Sequence, residues 1–221
     1  MKLSTRLNSF LASARSAAGF TMIELLIVIS ILGILAVAVL SAINPVEQIN
    51  RGRDTGSRSD AEQLLSAIDR FNAFQGYYPW VYNPTDDHTI DDGAGGPLQV
   101  TDAWFVGGAA ATANDCSVLL RLGTGDAAAT DACTGSLEVK ESFTSRVTDT
   151  GANPLYIYND GAQGSSTYVC FTPQSGAFVQ EAETRCQDAT GTGLPNDMAG
   201  IADEVCGGYA TDPTLMMICL P

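Results

Sequence analysis

The sequence predicts an α+β protein: a long N-terminal helix, hydrophobic in its first part and amphipathic in its second, packed on a C-terminal antiparallel β-sheet. Three observations lead there. From Leu25 to Ile43 the chain is apolar except at Ser30, Gly33 and Ser41. Between Asp60 and Gly76 apolar residues return at spacings of three and four, the period of a helix with one buried face. Beyond Ser136, short segments rich in β-branched and aromatic residues alternate with turn-formers, and a one-faced helix needs such a sheet to cover it. With 221 residues the chain has room for one head of ordinary size after the apolar run.

The apolar run comes first in order and in information. At about 1.5 Å rise per residue it is long enough to cross roughly 30 Å of hydrocarbon. Glu24 stands near its start, where a carboxylate is unfavourable by up to about 3 kcal/mol in a lone membrane helix, and no Lys or Arg lies within the span to offset it. A cation does arise if the chain is cut between Gly19 and Phe20, because the new α-amino group then sits near Glu24 of a neighbouring copy.

Gly19, Phe20, Thr21, Met22, Ile23, Glu24 and Leu25, ahead of an unbroken apolar run, resemble the prepilin cleavage and methylation motif of type IV pilins and type II secretion pseudopilins. The resemblance implies a type IV pilin-like fold and cleavage after Gly19 by a prepilin peptidase. It also implies N-methylation of Phe20 and a role for Glu24 in guiding subunits into a helical filament. Three plainer readings compete. Ala36, Val37 and Ala38 form an A-x-A site, but an ordinary signal ending there would be unusually long. A plain single-pass anchor would let Glu24 snorkel to the interface. A buried core helix rarely carries so long an apolar run. None of them explains a basic leader, a glycine and a glutamate in this order.

Residues 1–19 read as the leader, 20–43 as the membrane and filament-core helix, 44–76 as a stem helix and 77–221 as the head. Charge does not orient the span, since Lys2, Arg6 and Arg15 before it are matched by Arg51, Arg53 and Arg58 after it. The six cysteines do. Cys116, Cys133, Cys170, Cys186, Cys206 and Cys219 all lie beyond the span, as expected for a head in an oxidising exterior. The formal net charge is −14, and removal of the leader leaves eight basic against twenty-five acidic side chains. So acidic a surface disfavours direct nucleic-acid binding.

After the span, Pro45 lacks an amide hydrogen and Gly52 and Gly56 lower helix propensity, so a bend or melted turn is expected between Pro45 and Gly56. The glycines are also a departure from the family, which often has small non-glycine residues there. The stem then resumes, with Ala61, Leu64, Leu65, Ile68 and Phe71 on one face, and ends near Gly76. Gly76, Tyr77, Tyr78 and Pro79 resemble the end of a pseudopilin stem. The aromatic residues Phe71, Phe74, Tyr77, Tyr78, Trp80 and Tyr82 are expected to anchor that end to the sheet.

Residues 84–135, rich in Ala, Gly, Thr and Asp, read as a variable connection with a short helix at Asp115 to Leu122. Strands are expected at Ser136 to Phe143, Leu155 to Tyr158, Thr167 to Thr172, Ala177 to Gln180 and Leu215 to Leu220. Turns fall at Asn159 to Gly161 and at Pro173 to Gly176.

Chemistry finds little support. There is no G-x-S-x-G, P-loop or H-E-x-x-H, and His88 is the single imidazole, so no enzymatic activity is expected. Calcium is the only cofactor in view, either among Asp86, Asp87, Asp91 and Asp92, whose loop offers several oxygens, or, as the resemblance to major pseudopilins implies, among Asp197, Asp203, Glu204 and Asp212, and no metal ligands are assigned. Nor does any C-x-x-C pair point to zinc. The simplest disulfide pattern joins nearest neighbours, Cys116 to Cys133, Cys170 to Cys186 and Cys206 to Cys219, with Cys170 to Cys219 as the alternative.

The function expected is that of a structural subunit, a pilin or pseudopilin, made as a single-pass membrane precursor with its head outside. Membrane lipid before assembly, prepilin peptidase, a membrane assembly platform, other pilins and further copies of the chain are the partners this implies. The alternatives are a membrane-anchored extracellular binding module and a secreted hydrolase with a coincidental leader.

Overall fold

A computed structural model describes residues 19–81, 96–101, 103–104, 116–125, 133–148, 153–162, 164–187, 193–207 and 216–221. The chain divides between Pro45 and Val46 into an N-terminal unit and a head. Nearly all of the predicted leader, Tyr82, His88 and the aspartates around it, and Asp212 lie outside the described residues.

The N-terminal unit is built on α1 (Met22–Ala42), which is apolar on every side and buries no residue. Two hydroxyls interrupt it, and both are bonded within the helix. Ser30 Oγ donates to the carbonyls of Leu26 (2.6 Å) and Ile27 (3.0 Å), and Ser41 Oγ to that of Ala38 (2.9 Å). Neither is left unsatisfied in an apolar surrounding. The helix ends where Ile43 turns extended (φ −101°, ψ 129°). Pro45 then opens α2 (Pro45–Gln75), a first-turn position where its missing N–H costs nothing.

The expected melting between Pro45 and Gly56 does not occur: α2 runs unbroken through both glycines. A Cβ added at Gly52 or Gly56 would meet nothing within 4 Å, so packing does not require glycine there. Tertiary contacts outweigh the propensity loss, because the buried face of α2 begins at Asp54 and Ser57 before it reaches Ala61, Leu64, Ala67, Ile68 and Phe71. As predicted, the helix stops at Gly76, whose φ of +79° suits a glycine at a helix end.

The head's four-stranded sheet is antiparallel throughout, in the order β1 (Leu98–Gln99), β4 (Leu155–Tyr158), β5 (Tyr168–Phe171), β6 (Ile218–Leu220). A two-stranded pair joins β2 (Ala103–Trp104) to β3 (Cys116–Ser117). Central strand β5 is buried along its whole length, hence its unbroken apolar sequence. With the apolar face of α2 it forms one core, to which Trp80, Leu119, Leu122, Ile157, Met198 and Met216 also contribute.

Helix α3 (Val118–Leu122) falls where expected, capped by Ser117 Oγ accepting from the Leu120 amide (3.2 Å). Two predicted strands are not strands: Ser136 to Lys140 are irregular and lead into a helix, and the second is helical throughout. Leu137 adopts φ +59°, which no strand accommodates, and α4 (Glu141–Thr148) then buries Phe143 and Val147, one turn apart. Ala177 to Gln180 belong to α5 (Gly176–Cys186), nucleated by carboxylates of α2 as described below. The chain continues through a 3-10 turn (Asn196–Ile201) into α6 (Ala202–Cys206). The last strand covers only Ile218–Leu220, and Leu215 lies outside the described residues.

The nearest-neighbour disulfide pattern is corrected as well. Cys170 is bonded to Cys219, its cross-strand partner in the β5–β6 register, and Cys186 at the end of α5 to Cys206 at the end of α6. Strand pairing brings the first pair of sulfurs together and the packing of α5 beside α6 the second; loop length decides neither. Cys133 is also disulfide-bonded, and the side chain of Cys116 lies outside the described residues.

Candidate functional site

The residues singled out in the sequence converge on the start of α1. Thr21 is its N-cap, extended at φ −77°, ψ 149°, and with Glu24 it forms a capping box. The Thr21 Oγ1 accepts from the Glu24 amide at 3.2 Å, and Glu24 Oε2 accepts from the Thr21 amide and hydroxyl, each at 3.4 Å. These last two contacts are long and only orient the carboxylate. Glu24 remains exposed, and Phe20 ahead of it is 86% exposed.

Gly19 stands in the open, where an added Cβ would meet nothing within 4 Å. Among the described residues, no contact demands glycine at this position. Met22–Ala42 is long and apolar enough to cross a membrane.

Sequence reasoning missed the polar contacts that tie the head to its stem. Asp54, fully buried on α2, accepts from the amides of Gln174 (3.0 Å) and Ser175 (2.8 Å) and from Ser175 Oγ (2.6 Å). Two turns earlier Glu47 accepts from the Gly176 amide (3.1 Å). Ser175 is the N-cap of α5 yet makes no side-chain cap itself, so these α2 carboxylates satisfy the free amides at that end and favour its dipole. Arg58 and Arg185 both donate to Glu181 Oε1. Desolvation pushes the Glu181 carboxyl up, but the two guanidinium groups outweigh it and hold it below its ordinary range. One signal for Asp54 was legible: it lies three residues before Ser57 and seven before Ala61, in phase with the buried stripe.

The aromatic residues do anchor the stem's end, apart from Phe74, which is 80% exposed, and Tyr82, which lies outside the described residues. Trp80 is buried and stacks on Tyr78 with centroids 4.6 Å apart. Arg121, itself buried, donates to the carbonyls of Pro79 (2.9 Å) and Val81 (2.6 Å) and lies over the rings of Phe71 and Tyr77.

Of the acidic residues considered for calcium, Asp197 is engaged within the fold, accepting from the Ser166 amide (3.1 Å) and the Tyr168 hydroxyl (2.8 Å). Burial, and next that hydrogen bond, push the Tyr168 phenol up to about 12. Among the described residues, no three metal-ligating side chains come together.

The Gly176–Glu47 contact predicts a pH response. The Gly176 amide chiefly, against desolvation and with help from Arg51, holds the Glu47 carboxyl below its ordinary value of 4.5. A depressed folded value means that this cap is fully present above the unfolded value and is lost as pH falls through the folded one. Hydrogen exchange at Gly176, corrected for intrinsic rate, is expected to stay level from neutrality to about pH 5 and to accelerate below it. Glu47→Gln should abolish the transition. An unchanged profile in that variant would show that the cap comes from elsewhere.

Residues 14–40 match the model of the prokaryotic N-terminal methylation motif, which describes a structural motif and not an enzyme family. No curated protein and no solved structure matches the chain. That motif lies on the apolar helix described above and is followed by an α+β head, the arrangement expected of a chain that resembles the type IV pilins and pseudopilins.

Proposed function

We propose that the chain is a structural subunit of a type IV pilus-like or type II secretion filament, cut after Gly19 by a prepilin peptidase and methylated on Phe20. The observation that carries this reading is the order of parts at the start of α1: an unencumbered glycine, an exposed Phe20, then a capping box that holds Glu24 at the first turn of the helix. Nothing among the described residues needs glycine at position 19, which fits a requirement set by an enzyme acting on the backbone there. Glu24, unpaired by any cation in its own apolar span, meets the new amine of a neighbouring Phe20. Apolar helices gain little hydrophobic energy on leaving lipid for one another, so this polar contact sets their register. The cystine-bonded head then faces an oxidising space outside the membrane, and copies of the chain and other pilins are its partners.

The mass of the mature chain tests this directly: it should begin at N-methyl-Phe20. A chain still starting at Met1 would instead fit a membrane-anchored binding module, and a start at Val39 a secreted protein. Glu24→Ala is expected to insert in the membrane normally, because a carboxylate costing about 3 kcal/mol in lipid is removed. It should lose filament assembly in the absence of wild-type subunit. Wild-type filament yield from that variant would refute the pairing with Phe20.

A further inference from the structure

Heads carrying so many carboxylates repel one another, so a filament of them needs places where the local charge is reversed. Basic side chains gather, and the acidic excess is cancelled, at a groove of about 600 Å³ between α2 and α4. Val139 and Phe143 line it, both buried, and Arg70, Lys140 and Arg146 stand in it against two carboxylates, Glu62 and Glu138. Arg70 is bonded to Glu138 (2.9 Å) and Arg146 to Asp60 (2.6 Å), pairs that fix the walls and neutralise each other. Lys140 is exposed and makes no ion pair among the described residues. Beside it Leu137 is 73% exposed although its φ of +59° is unfavourable for a leucine.

The complementary feature lies across the sheet. Asp203 and Glu204 project from α6, both exposed and without an ion pair among the described residues. The groove belongs to the β1 edge: Val139 donates to the carbonyl of Leu122, Leu119 to that of Val100, and Val100 follows β1 directly. By contrast α6 belongs to the β6 edge, where Met217 donates to the carbonyl of Val205.

We propose that the α2–α4 groove receives the α6 face of a second copy of the chain, setting Lys140 of one copy against Asp203 and Glu204 of the next. The proposal rests on the filament reading above. Two different surfaces at opposite edges of one head make a heterologous contact, which propagates as an open helical array when its rotation does not close. Its charge component steers like-charged heads into one register and disfavours other faces meeting there.

Lys140 is the only lysine after Gly19, which makes the test selective. Filaments assembled from equal amounts of isotopically light and heavy full chain are treated with a carbodiimide, which joins an amine to a carboxylate only where they already touch. The expected product is a mixed light–heavy peptide joining Lys140 to Asp203 or Glu204. Lys140→Glu, and separately Asp203→Lys with Glu204→Lys, should each lower filament yield about tenfold, and all three changes together should restore it. Maturation at Phe20 should be untouched in every variant. Mixed links from Lys140 only to other acids, no mixed links at all, or normal filaments from the single-sided reversals would each overturn the groove contact and leave the filament reading standing. Wild-type chain that matures but never assembles would overturn both.

Discussion

Replacing Asp54 by alanine is expected to destabilise the head by about 3–5 kcal/mol, a large share of the stability of a domain this size. The carboxylate is fully buried and is the common acceptor for the Gln174 amide, the Ser175 amide and the Ser175 hydroxyl. Alanine removes the acceptor and leaves these donors facing a small void at the start of α5, where Glu47 reaches only the amides further on. Asp54→Asn separates charge from hydrogen bonding. It keeps one oxygen acceptor but turns an NH2 group toward donors, so an intermediate loss is expected. Urea unfolding of the full chain in detergent, followed by circular dichroism, gives the midpoints. An alanine variant with the wild-type midpoint would show that Asp54 contributes nothing to the joint between α2 and α5.

Arg121→Met should cost about 2–4 kcal/mol by a different route. The methionine fills most of the volume, so the loss measures the guanidinium and not a cavity. Without it the carbonyls of Pro79 and Val81 lose their donor, and the rings of Phe71 and Tyr77 lose the cation lying over them, 5.5 and 5.4 Å away. Arg121→Lys should recover only part of this, since an ammonium can donate to the carbonyls but has no planar face to set against the rings. Trp80 lies between those two carbonyls in sequence and is buried, so its fluorescence, read with Trp104→Phe in every variant, reports the segment locally. A red-shifted emission is expected in the methionine variant under native conditions. Unshifted emission with an unchanged unfolding midpoint would show that Trp80 and Tyr78 hold this corner unaided.

Some residues announced their place without help. Leu155 to Tyr158 reads as a strand and is one, because β-favouring side chains are bounded there by a proline and an Asn-Asp-Gly turn. Ala177 to Gln180 reads the same way and is a helix. Four residues with an apolar pair fit either period, and the choice went to the helix once Asp54 and Glu47 supplied acceptors for its first amides. Those carboxylates lie more than a hundred residues earlier in the chain. The glycines at 52 and 56 misled for the same reason, since they speak of local propensity while the helix is held by its buried side.

The sequence by itself determined the N-terminal motif. Gly19, Phe20, Glu24 and the apolar run act through local order and composition, and a helix that buries nothing in its own chain needs no tertiary partner to be recognised. It also determined the phase of the stem from Ala61 to Phe71 and the stop at Gly76, because periodicity and a positive φ are properties of neighbouring residues. Only the tertiary structure decided that Cys170 meets Cys219 and Cys186 meets Cys206, that Asp54 is buried, and that Arg121 holds the corner at Trp80. Each of these joins residues far apart in the chain through strand register or helix packing. Such contacts depend on how the elements are brought together, and spacing along the sequence carries no record of that.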